Sequence, residues 1–335
     1  MNMALQTTMG LKKDDAKTFE ETEDRLFGYY HLIAEKVMAF IIMPWLRLAI
    51  VQKFLPSLKP FTSCKSGLKK FFKNLIREKL ENCSTTDTKA VTMANTKDAD
   101  NDLEQKQKLN FIDMAVELLR IGKLTAKHVE DHSNHIVAGA FETTAATVTH
   151  VLILLALNPK YQQIAFEELY ALYADRDNVT VTDEDLQRLV YLEMVINETM
   201  RLIPTVPIIG RTTSTDVKLS SGIVLPEGIQ IIINLFHLHR NEKFWGPNAS
   251  VFNPENFLPE NLRDKHPYAF IPFIKGIRTC IGSRYGMMAT KIAVAILLRK
   301  YRFTTVGNLD EFRYEPAISI RVVDPPLVKF HLREK

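Results

Sequence analysis

One cysteine near the C-terminal end constrains the fold and the chemistry of this chain more than any other residue. Cys280 lies in the segment PFIKGIRTCIGSRYG, between Gly276 and Gly282 and two positions after Arg278. The glycines allow a tight turn and a close approach to a flat partner. The arginine and the N-terminus of a predicted following helix favour an ionised thiolate. The pattern predicts a metal with one protein ligand; the alternative is a buried, inert cysteine between a loop and a helix.

The number and spacing of the cysteines favour reducing surroundings. The chain has three cysteines, Cys64, Cys83 and Cys280, and no Cys-x-x-Cys pair. This arrangement argues against both a disulfide framework and a zinc ribbon. The 335 residues carry a net charge of only +4, so the charge balance requires no nucleic acid partner. With 46% hydrophobic residues, the chain can bury a sizeable core.

The first part of the chain has the pattern of a series of amphipathic helices. Residues 1–110 carry apolar side chains at helical spacing, and the pattern breaks in KFLPSLKPF at Pro56 and Pro60. Residues 67–80, GLKKFFKNLIREKL, have a basic face that either is simply solvated or contacts an anionic membrane. Residues 83–108 are polar and poor in large apolar groups, which predicts a flexible loop.

A long helix is predicted over residues 125–157, with a threonine as its N-cap and Asn-Pro after its end. Its second half is nearly all apolar, so we expect it to be buried. Another helix follows it. Thr182 and Asp185 then form a capping-box pattern, which predicts a helix that begins there and continues to about Leu202.

The C-terminal part of the chain differs in composition. Eight of the fifteen prolines lie between Pro204 and Pro272, and short β-type runs such as IQIIINL alternate with turns. Residues 270–301 are predicted to contain the cysteine loop and a final helix. The predicted fold class is mostly α-helical with small β-sheets. The best apolar run, VMAFIIMPWL at residues 37–46, is too short to cross a bilayer.

The pattern Phe273-x-x-Gly276-x-Arg278-x-Cys280-x-Gly282 resembles the haem-binding signature of the cytochrome P450 superfamily. The resemblance implies the cytochrome P450 fold, with residues 1–335 forming a partial domain that lacks the N-terminal third. It also implies that Cys280 is the axial thiolate of heme b (iron protoporphyrin IX). Arg278 would pair with a haem propionate, and Phe273 and Gly282 would lie against the cofactor. A thiolate ligand supplies electron density that favours O–O bond cleavage.

A second set of residues supports the resemblance. Glu198 and Arg201 lie three positions apart on a predicted helix and face the same side; alone, they predict only a surface ion pair. Followed by two prolines and Arg211, the pair resembles the family's buried Glu-x-x-Arg motif, with Arg211 as the second propionate-binding arginine. Asn256, in PENF, stands where many members carry an arginine that joins the pair. Because an amide carries no charge, we expect a weaker or differently wired network.

The long helix carries the segment GAFETT. Splitting dioxygen consumes two protons, and an acid, Glu142, beside an alcohol, Thr143, suits their relay. The alternative is a polar kink in a buried helix, since threonine can hydrogen-bond to its own preceding turn. The segment resembles the family's distal motif, which implies that Ala138 and Gly139 lie against the cofactor. Ala140 stands where the family usually has glycine, so we expect a tighter dioxygen groove.

The resemblance implies a haem-thiolate monooxygenase that inserts one atom of O₂ into a lipophilic small molecule. The chain has no nucleotide or flavin motif, so the electrons would come from NADPH–cytochrome P450 reductase. Lys275, Arg284 and Lys291 are candidate docking charges for that partner. The segments FLPEN and HRNEKFW resemble insect members of the microsomal fatty-acid hydroxylase clan. This resemblance implies the cytosolic face of the endoplasmic reticulum membrane and peripheral membrane contact, with the anchor absent from this chain.

Two other functions fit parts of the same pattern. The missing N-terminal third also fits a truncated, catalytically inactive, haem-binding remnant. A haem-dependent rearrangement is the other alternative, although it needs no O₂-linked protons and so leaves the acid–alcohol pair without a purpose. Substrate contacts are expected within residues 24–82, near Phe141, in 205–209 and in the tail at 317–319.

Overall fold

Helices make up most of the chain, and the β-structure is confined to short pairs of strands. The computed structural model describes residues 1–11, 16–83, 110–173, 181–315 and 319–333. These residues form helices and four two-stranded sheets, which confirms the predicted fold class. The predicted loop at 83–108 lies outside the described residues, except for its first residue, and so do residues 317 and 318 of the expected substrate-contacting tail.

The chain divides into two compact units, residues 1–142 and residues 143–335, each of which makes most of its contacts within itself. The boundary falls within the longest helix. The prediction of a single partial domain over the whole chain stays a prediction.

The described residues of the first unit are almost entirely helical. Its α-helices are α1 (Asn2–Met9), α2 (Ala16–Ile42), α3 (Ala49–Phe54), α4 (Lys59–Cys83), α5 (Phe111–Arg120) and the first part of α6 (Ala126–Leu157). Short 3₁₀ turns begin at Pro44 and Pro56. Pro60, in contrast, lies in the first turn of α4, where a missing backbone N–H costs nothing. The predicted break therefore ends before Pro60.

The amphipathic spacing in the first unit produces its core. In α4, Leu68, Phe72 and Ile76 are buried, whereas the lysines between them are exposed. These side chains pack with apolar residues of α1, α2, α5 and α6 in one cluster. The hydroxyl of Tyr30 in α2 donates a hydrogen bond to Asn134 Oδ1 in α6 at 2.7 Å.

The second unit combines the end of α6 with shorter helices and with strands. Its further helices are α7 (Pro159–Tyr173), α8 (Asp183–Arg188), α9 (Val190–Leu202), α10 (Leu235–Leu238), α11 (Glu242–Trp245), α12 (Pro259–Leu262) and α13 (Ser283–Lys300). Its strands are β1 (Ile208–Thr212), β2 (Val217–Lys218), β3 (Val224–Leu225), β4 (Gln230–Asn234), β5 (Tyr301–Thr304), β6 (Arg313–Glu315), β7 (Arg321–Val323) and β8 (Lys329–Leu332). All pairings among them are antiparallel: β1 with β4, β2 with β3, β5 with β8, and β6 with β7.

The predicted capping box is present at the start of α8. Thr182 Oγ1 accepts a hydrogen bond from the Asp185 backbone N–H at 3.2 Å, and Asp185 Oδ2 accepts one from the Thr182 N–H at 3.0 Å. The box satisfies two donors that the helix itself leaves free.

The single helix predicted to continue from this cap to Leu202 is wrong, because the chain leaves the helical conformation at Leu189. The Leu189 side chain is completely buried. The carboxylate of Glu168 in α7 then accepts the backbone N–H groups of Tyr191 and Leu192 at 2.6 and 2.9 Å. These bonds take the place of an N-terminal cap for α9. The break between α8 and α9 is therefore stabilised by Glu168, more than twenty residues earlier in the chain, and not by a local sequence motif.

Helix α6 is, among the described residues, the one helix long and apolar enough to cross a membrane. The sequence analysis found no such segment. Within the second unit, Val151, Leu154 and Leu155 of α6 are fully buried and pack with Leu192 and Leu298. A helix that is apolar because it fills a protein core meets the same test of length and composition.

Candidate functional site

The cysteine loop, residues 271–282, turns sharply before it leads into α13. Gly276 has φ 83° and Ile274 has φ 63°. Glycine adopts this left-handed region freely, whereas a β-branched residue does so only under strain. The backbone N–H of Cys280 donates to the Phe273 carbonyl at 2.9 Å. This bond closes the loop and places an exposed thiol at its end.

Cys280 lines an apolar cavity within the second unit. The walls come from α6, α9, the segment before β1, β1 itself, the start of α10, the cysteine loop and α13. The apolar part of the lining includes Ile196, Met200, Val206, Ile209, Leu235, Phe273 and Met287. Its polar part consists of Cys280 and five threonines, Thr143, Thr144, Thr147, Thr205 and Thr290. The structure thus brings together Cys280, Phe273 and Thr143 of the predicted site.

Two hydroxyl groups of this lining form a contact that the sequence analysis missed. Thr147 Oγ1 lies 2.8 Å from the Thr143 carbonyl and 2.8 Å from Thr205 Oγ1. A carbonyl only accepts, so the Thr147 proton points to Thr143 and the Thr205 hydroxyl donates to Thr147. Thr143 and Thr147 are one helical turn apart, so their hydrogen bond could have been predicted from the sequence. The contact with Thr205, 58 residues away in the chain, could not.

Glu198 and Arg201 form an ion pair that is completely buried. The carboxylate accepts two hydrogen bonds from one guanidinium, Arg201 Nε to Oε2 and Arg201 Nη2 to Oε1, both at 2.7 Å. Neither side chain has measurable solvent exposure. The pair is therefore a bidentate contact in the core rather than one on the surface.

Backbone carbonyls satisfy the rest of the arginine. Arg201 Nη1 donates to the carbonyl of His239 at 3.0 Å and to that of Ala249, and Nη2 donates to the carbonyl of Val251 at 3.3 Å. The guanidinium also lies over the ring of Trp245, 4.8 Å from its centroid. One buried cation thus connects α9 with the segment between α10 and α12, which includes α11.

The glutamate is held from the same segment. Glu198 Oε1 accepts the backbone N–H of Asn253 at 2.8 Å and the side-chain amide of Asn256 at 3.2 Å. Burial raises the pKa of the Glu198 carboxyl, and the contacts with Arg201, Asn253 and Asn256 oppose that rise. Asn256 therefore joins the pair through one neutral hydrogen bond.

The two arginines predicted to bind propionates lie on different elements. Arg278 is exposed within the cysteine loop. Arg211 lies in β1 opposite Ile231 of β4 and is partly buried; its Nη1 donates to the Gly210 carbonyl at 2.7 Å. Their roles toward a cofactor stay predictions.

The remaining predicted site residues on α6 fall at the end of the first unit. Ala138, Gly139 and Glu142 belong to residues 1–142, whereas Thr143 begins the second unit. Thr143 lines the cavity. The predicted roles of the other three toward that cavity stay predictions, and so does the placement of Gly282 against a cofactor.

The prediction of Lys291 as a docking charge is wrong. Its side chain is 5% exposed, and its Nζ donates to Glu193 Oε2 at 2.6 Å and to the Leu186 carbonyl at 2.8 Å. The lysine instead ties α13 to α8 and α9. Arg284 is 87% exposed and 3.5 Å from Asp183, and Lys275 is exposed with its Nζ donating to a backbone carbonyl.

The structure thus combines a thiol at the end of a glycine-containing loop with an apolar cavity beside a threonine-bearing helix. The family model for cytochrome P450 matches residues 2–327. The chain belongs to the cytochrome P450 family.

Several proteins of known family resemble the chain along its full length. Probable cytochrome P450 313a4 of Drosophila melanogaster is 39% identical over 333 residues, which are 99% of this chain and 65% of that protein. Probable cytochrome P450 313a1 of the same organism is 36% identical, over 99% of this chain and 64% of that protein. The chain spans slightly less than two thirds of the length of these relatives.

Solved structures show the same fold at low sequence identity. The haem domain of cytochrome P450DA matches with a TM-score of 0.77 at 17% identity, over 99% of this chain and 66% of that chain. A cytochrome P450 named CYP102L1 matches with a TM-score of 0.71 at 20% identity, over 84% of this chain and 60% of that chain.

Proposed function

We propose that the chain binds haem through Cys280 and acts as a monooxygenase, inserting one atom of O₂ into a lipophilic substrate with electrons from a separate NADPH-dependent reductase. One observation carries this proposal. The exposed thiol of Cys280 lines the same apolar cavity as Thr143 of α6. Membership of the cytochrome P450 family supports it as well.

The lining of the cavity has the chemistry to hold an apolar group that carries one metal. The only sulfur nucleophile in the lining is Cys280, and the other polar groups of the lining are threonine hydroxyls. Ile277 and Ile281, on either side of the thiol, are almost completely exposed, and apolar surface of this kind is typical of a binding site. The lining that the structure describes has no histidine or carboxylate, so Cys280 would be the one protein ligand of a metal bound there.

Each chain residue has a distinct task in this proposal. Cys280 would bind the iron through its sulfur, because its backbone N–H already donates to the Phe273 carbonyl and closes the loop. Arg278 and Arg211 would orient the two carboxylates of heme b, because guanidinium groups pair with carboxylates in a bidentate manner. Bound haem would supply the electron-rich, thiolate-ligated iron at which dioxygen is reduced.

The polar groups of α6 would handle protons. Thr143 lines the cavity, and Glu142 is its neighbour in the chain. We propose that Glu142 takes protons from solvent and that the Thr143 hydroxyl passes them on. The apolar remainder of the lining would exclude bulk water and favour a lipophilic substrate.

A surface of the first unit supports peripheral contact with an anionic membrane. Trp45, Leu48, Ile50 and Phe54 are 55%, 56%, 65% and 74% exposed, and exposed lysines follow in α4. Apolar side chains next to basic ones are typical of interfacial segments. The double variant W45D/F54D should lose most sedimentation with phosphatidylserine vesicles. I232D, a change at an exposed apolar residue of the second unit, should retain it.

Haem reconstitution of the chain and of two matched cysteine variants tests the proposal. Wild type and C64S should both show the absorption band of a thiolate-ligated, reduced, carbon-monoxide-bound haem. C280S should lack this band, because serine is a much weaker donor to iron. A band that survives in C280S would rule out Cys280 as the ligand.

A truncated, catalytically inactive, haem-binding remnant is the second candidate function. Stoichiometric haem uptake together with reductase-dependent substrate oxidation by the 335-residue chain would exclude the remnant. Haem uptake without reductase-dependent reduction of O₂ would favour the remnant.

A further inference from the structure

A buried histidine, His239, makes a hydrogen bond to the beginning of the cysteine loop. It follows α10 as the C-terminal cap and has no solvent exposure. Its ring atom Nε2 lies 3.1 Å from the backbone nitrogen of Ile271 and accepts that N–H. A ring nitrogen that accepts a hydrogen bond carries no proton, so the imidazole is neutral and the proton is on Nδ1. Burial lowers the pKa of His239 to about 4, which agrees with this form.

The same residue contacts the buried ion pair through its backbone. The carbonyl of His239 accepts Arg201 Nη1 at 3.0 Å. His239 therefore has two separate polar groups in use, the carbonyl toward α9 and the ring toward the loop. Through this one residue, the ion pair is two hydrogen bonds away from Ile271.

Ile271 is the fixed end of a loop that otherwise has little burial. Its side chain is 7% exposed, and its carbonyl accepts the N–H of Ile274, the residue in the strained left-handed conformation. Residues 275–281 are all exposed. With so few buried contacts of its own, the exposed part depends on its two ends for its position.

We propose that His239 is a positioning residue that fixes the cysteine loop by accepting the Ile271 N–H and thereby couples the loop to the Glu198–Arg201 pair. The further consequence, that this hydrogen bond keeps Cys280 in position to bind iron, rests on the proposed function. The hydrogen bond itself does not depend on that function. The competing explanation is simple packing, since the His239 ring also lies 5.2 Å from the ring of Phe270. Packing needs a side chain of similar shape, whereas positioning needs an acceptor at Nε2.

Two substitutions separate these explanations. H239Q places an amide oxygen where Nε2 lies, whereas H239N places it one bond length too short to reach Ile271. Both are polar and smaller than or similar to histidine. A matched control is H150N, because His150 is another buried histidine, in α6, whose burial also lowers its pKa to about 4.

Amide hydrogen exchange at Ile271 in the haem-free chain is the measurement. We expect H239Q and H150N to protect this amide as the wild type does, and H239N to exchange it roughly tenfold faster, as for the loss of one hydrogen bond. Wild-type protection in H239N, or an equal loss in H150N, would overturn the proposal. Amides of α7 serve as the control for unfolding of the whole second unit. If these amides also exchange faster in H239N, the H239Q variant tests the proposal instead. Faster exchange of the Ile271 amide in H239Q would then overturn the proposal.

The haem-loaded chain provides a second readout that keeps this proposal apart from the proposed function. A loosened loop should lower the fraction of reduced, carbon-monoxide-bound haem with the thiolate band in H239N, with H150N unchanged. If the Ile271 amide exchanges faster in H239N and the wild-type chain fails to bind haem, the positioning role stands and the haem function is rejected. If the wild-type chain binds haem and the Ile271 amide in H239N exchanges as in wild type, the positioning role is rejected and the haem function stands.

Discussion

The buried ion pair and the cysteine loop are two polar regions of the same unit with opposite surroundings. Glu198 and Arg201 are completely buried, and every nitrogen of the guanidinium has an acceptor. Residues 275–281 are exposed and are closed by a few backbone hydrogen bonds. The comparison indicates that the loop depends on the buried residues at its ends for its position, because residues 275–281 make few buried contacts of their own.

The largest effect should come from breaking the network. R201A removes one partner of a buried pair and leaves a carboxylate in the core, so we expect a loss of about 3–5 kcal/mol in the free energy of unfolding. R284A, which removes the exposed pair with Asp183, should cost less than about 1 kcal/mol. Urea unfolding measures both, and equal losses would remove the contrast between buried and exposed pairs.

The second-largest effect should come from acid, which lowers the free energy of unfolding by protonating buried histidines. Burial lowers the pKa of His150 and of His239 from 6.5 to about 4. Between these values the unfolded state binds more protons than the folded state. The free energy of unfolding therefore falls as the pH drops from 6.5 toward 4, by up to roughly 3 kcal/mol for each histidine.

A glutamine variant checks the origin of this slope. H150Q should show a shallower loss of stability between pH 6.5 and pH 4, because glutamine does not titrate. H237Q, a change at an exposed histidine, should show the wild-type slope. An unchanged slope in H150Q would mean that the pKa of His150 is the same in the folded and unfolded protein.

A smaller effect is expected from the backbone of the loop. At Gly276, φ is 83°, so G276A should cost roughly 1–2 kcal/mol. Gly282 has φ −90°, and an added Cβ would lie 3.9 Å from the thiol sulfur, an ordinary contact. G282A should therefore leave the haem-free chain unchanged in thermal unfolding. A loss there equal to that of G276A would mean that crowding rather than backbone conformation limits the loop.

The smallest effect concerns the amide that joins the ion pair. Asn256 donates one hydrogen bond of 3.2 Å to Glu198, so N256A should cost about 1 kcal/mol in urea unfolding. N261A removes an exposed amide that donates to the Glu255 carbonyl and serves as the control near zero. A loss in N256A as large as that in R201A would show that the neutral amide matters as much as the cation.

The sequence was sufficient for features that depend on short spacings. The cysteine loop, the Glu-x-x-Arg spacing and the Thr182 capping box all lie within a few residues, and each pattern has a direct steric or hydrogen-bonding meaning. The fold class followed from helical periodicity and from the proline-rich composition of the C-terminal part of the chain.

Features that depend on distant partners could not be predicted. The break at Leu189 needs the carboxylate of Glu168, and the burial of Lys291 needs α13 to pack on α8 and α9. The hydrogen bond from Ile271 to His239 joins residues 32 positions apart. In each case the side chain is of a type common at exposed positions, and only tertiary packing brings its partner within hydrogen-bonding distance.

The central claim is that the sulfur of Cys280 binds iron. X-ray absorption at the iron edge of the haem-loaded chain tests it most directly, because sulfur and nitrogen or oxygen neighbours scatter differently. We predict one iron–sulfur contact in wild type and in C64S and none in C280S. An iron–sulfur contact that persists in C280S, or its absence from wild type, would contradict the account.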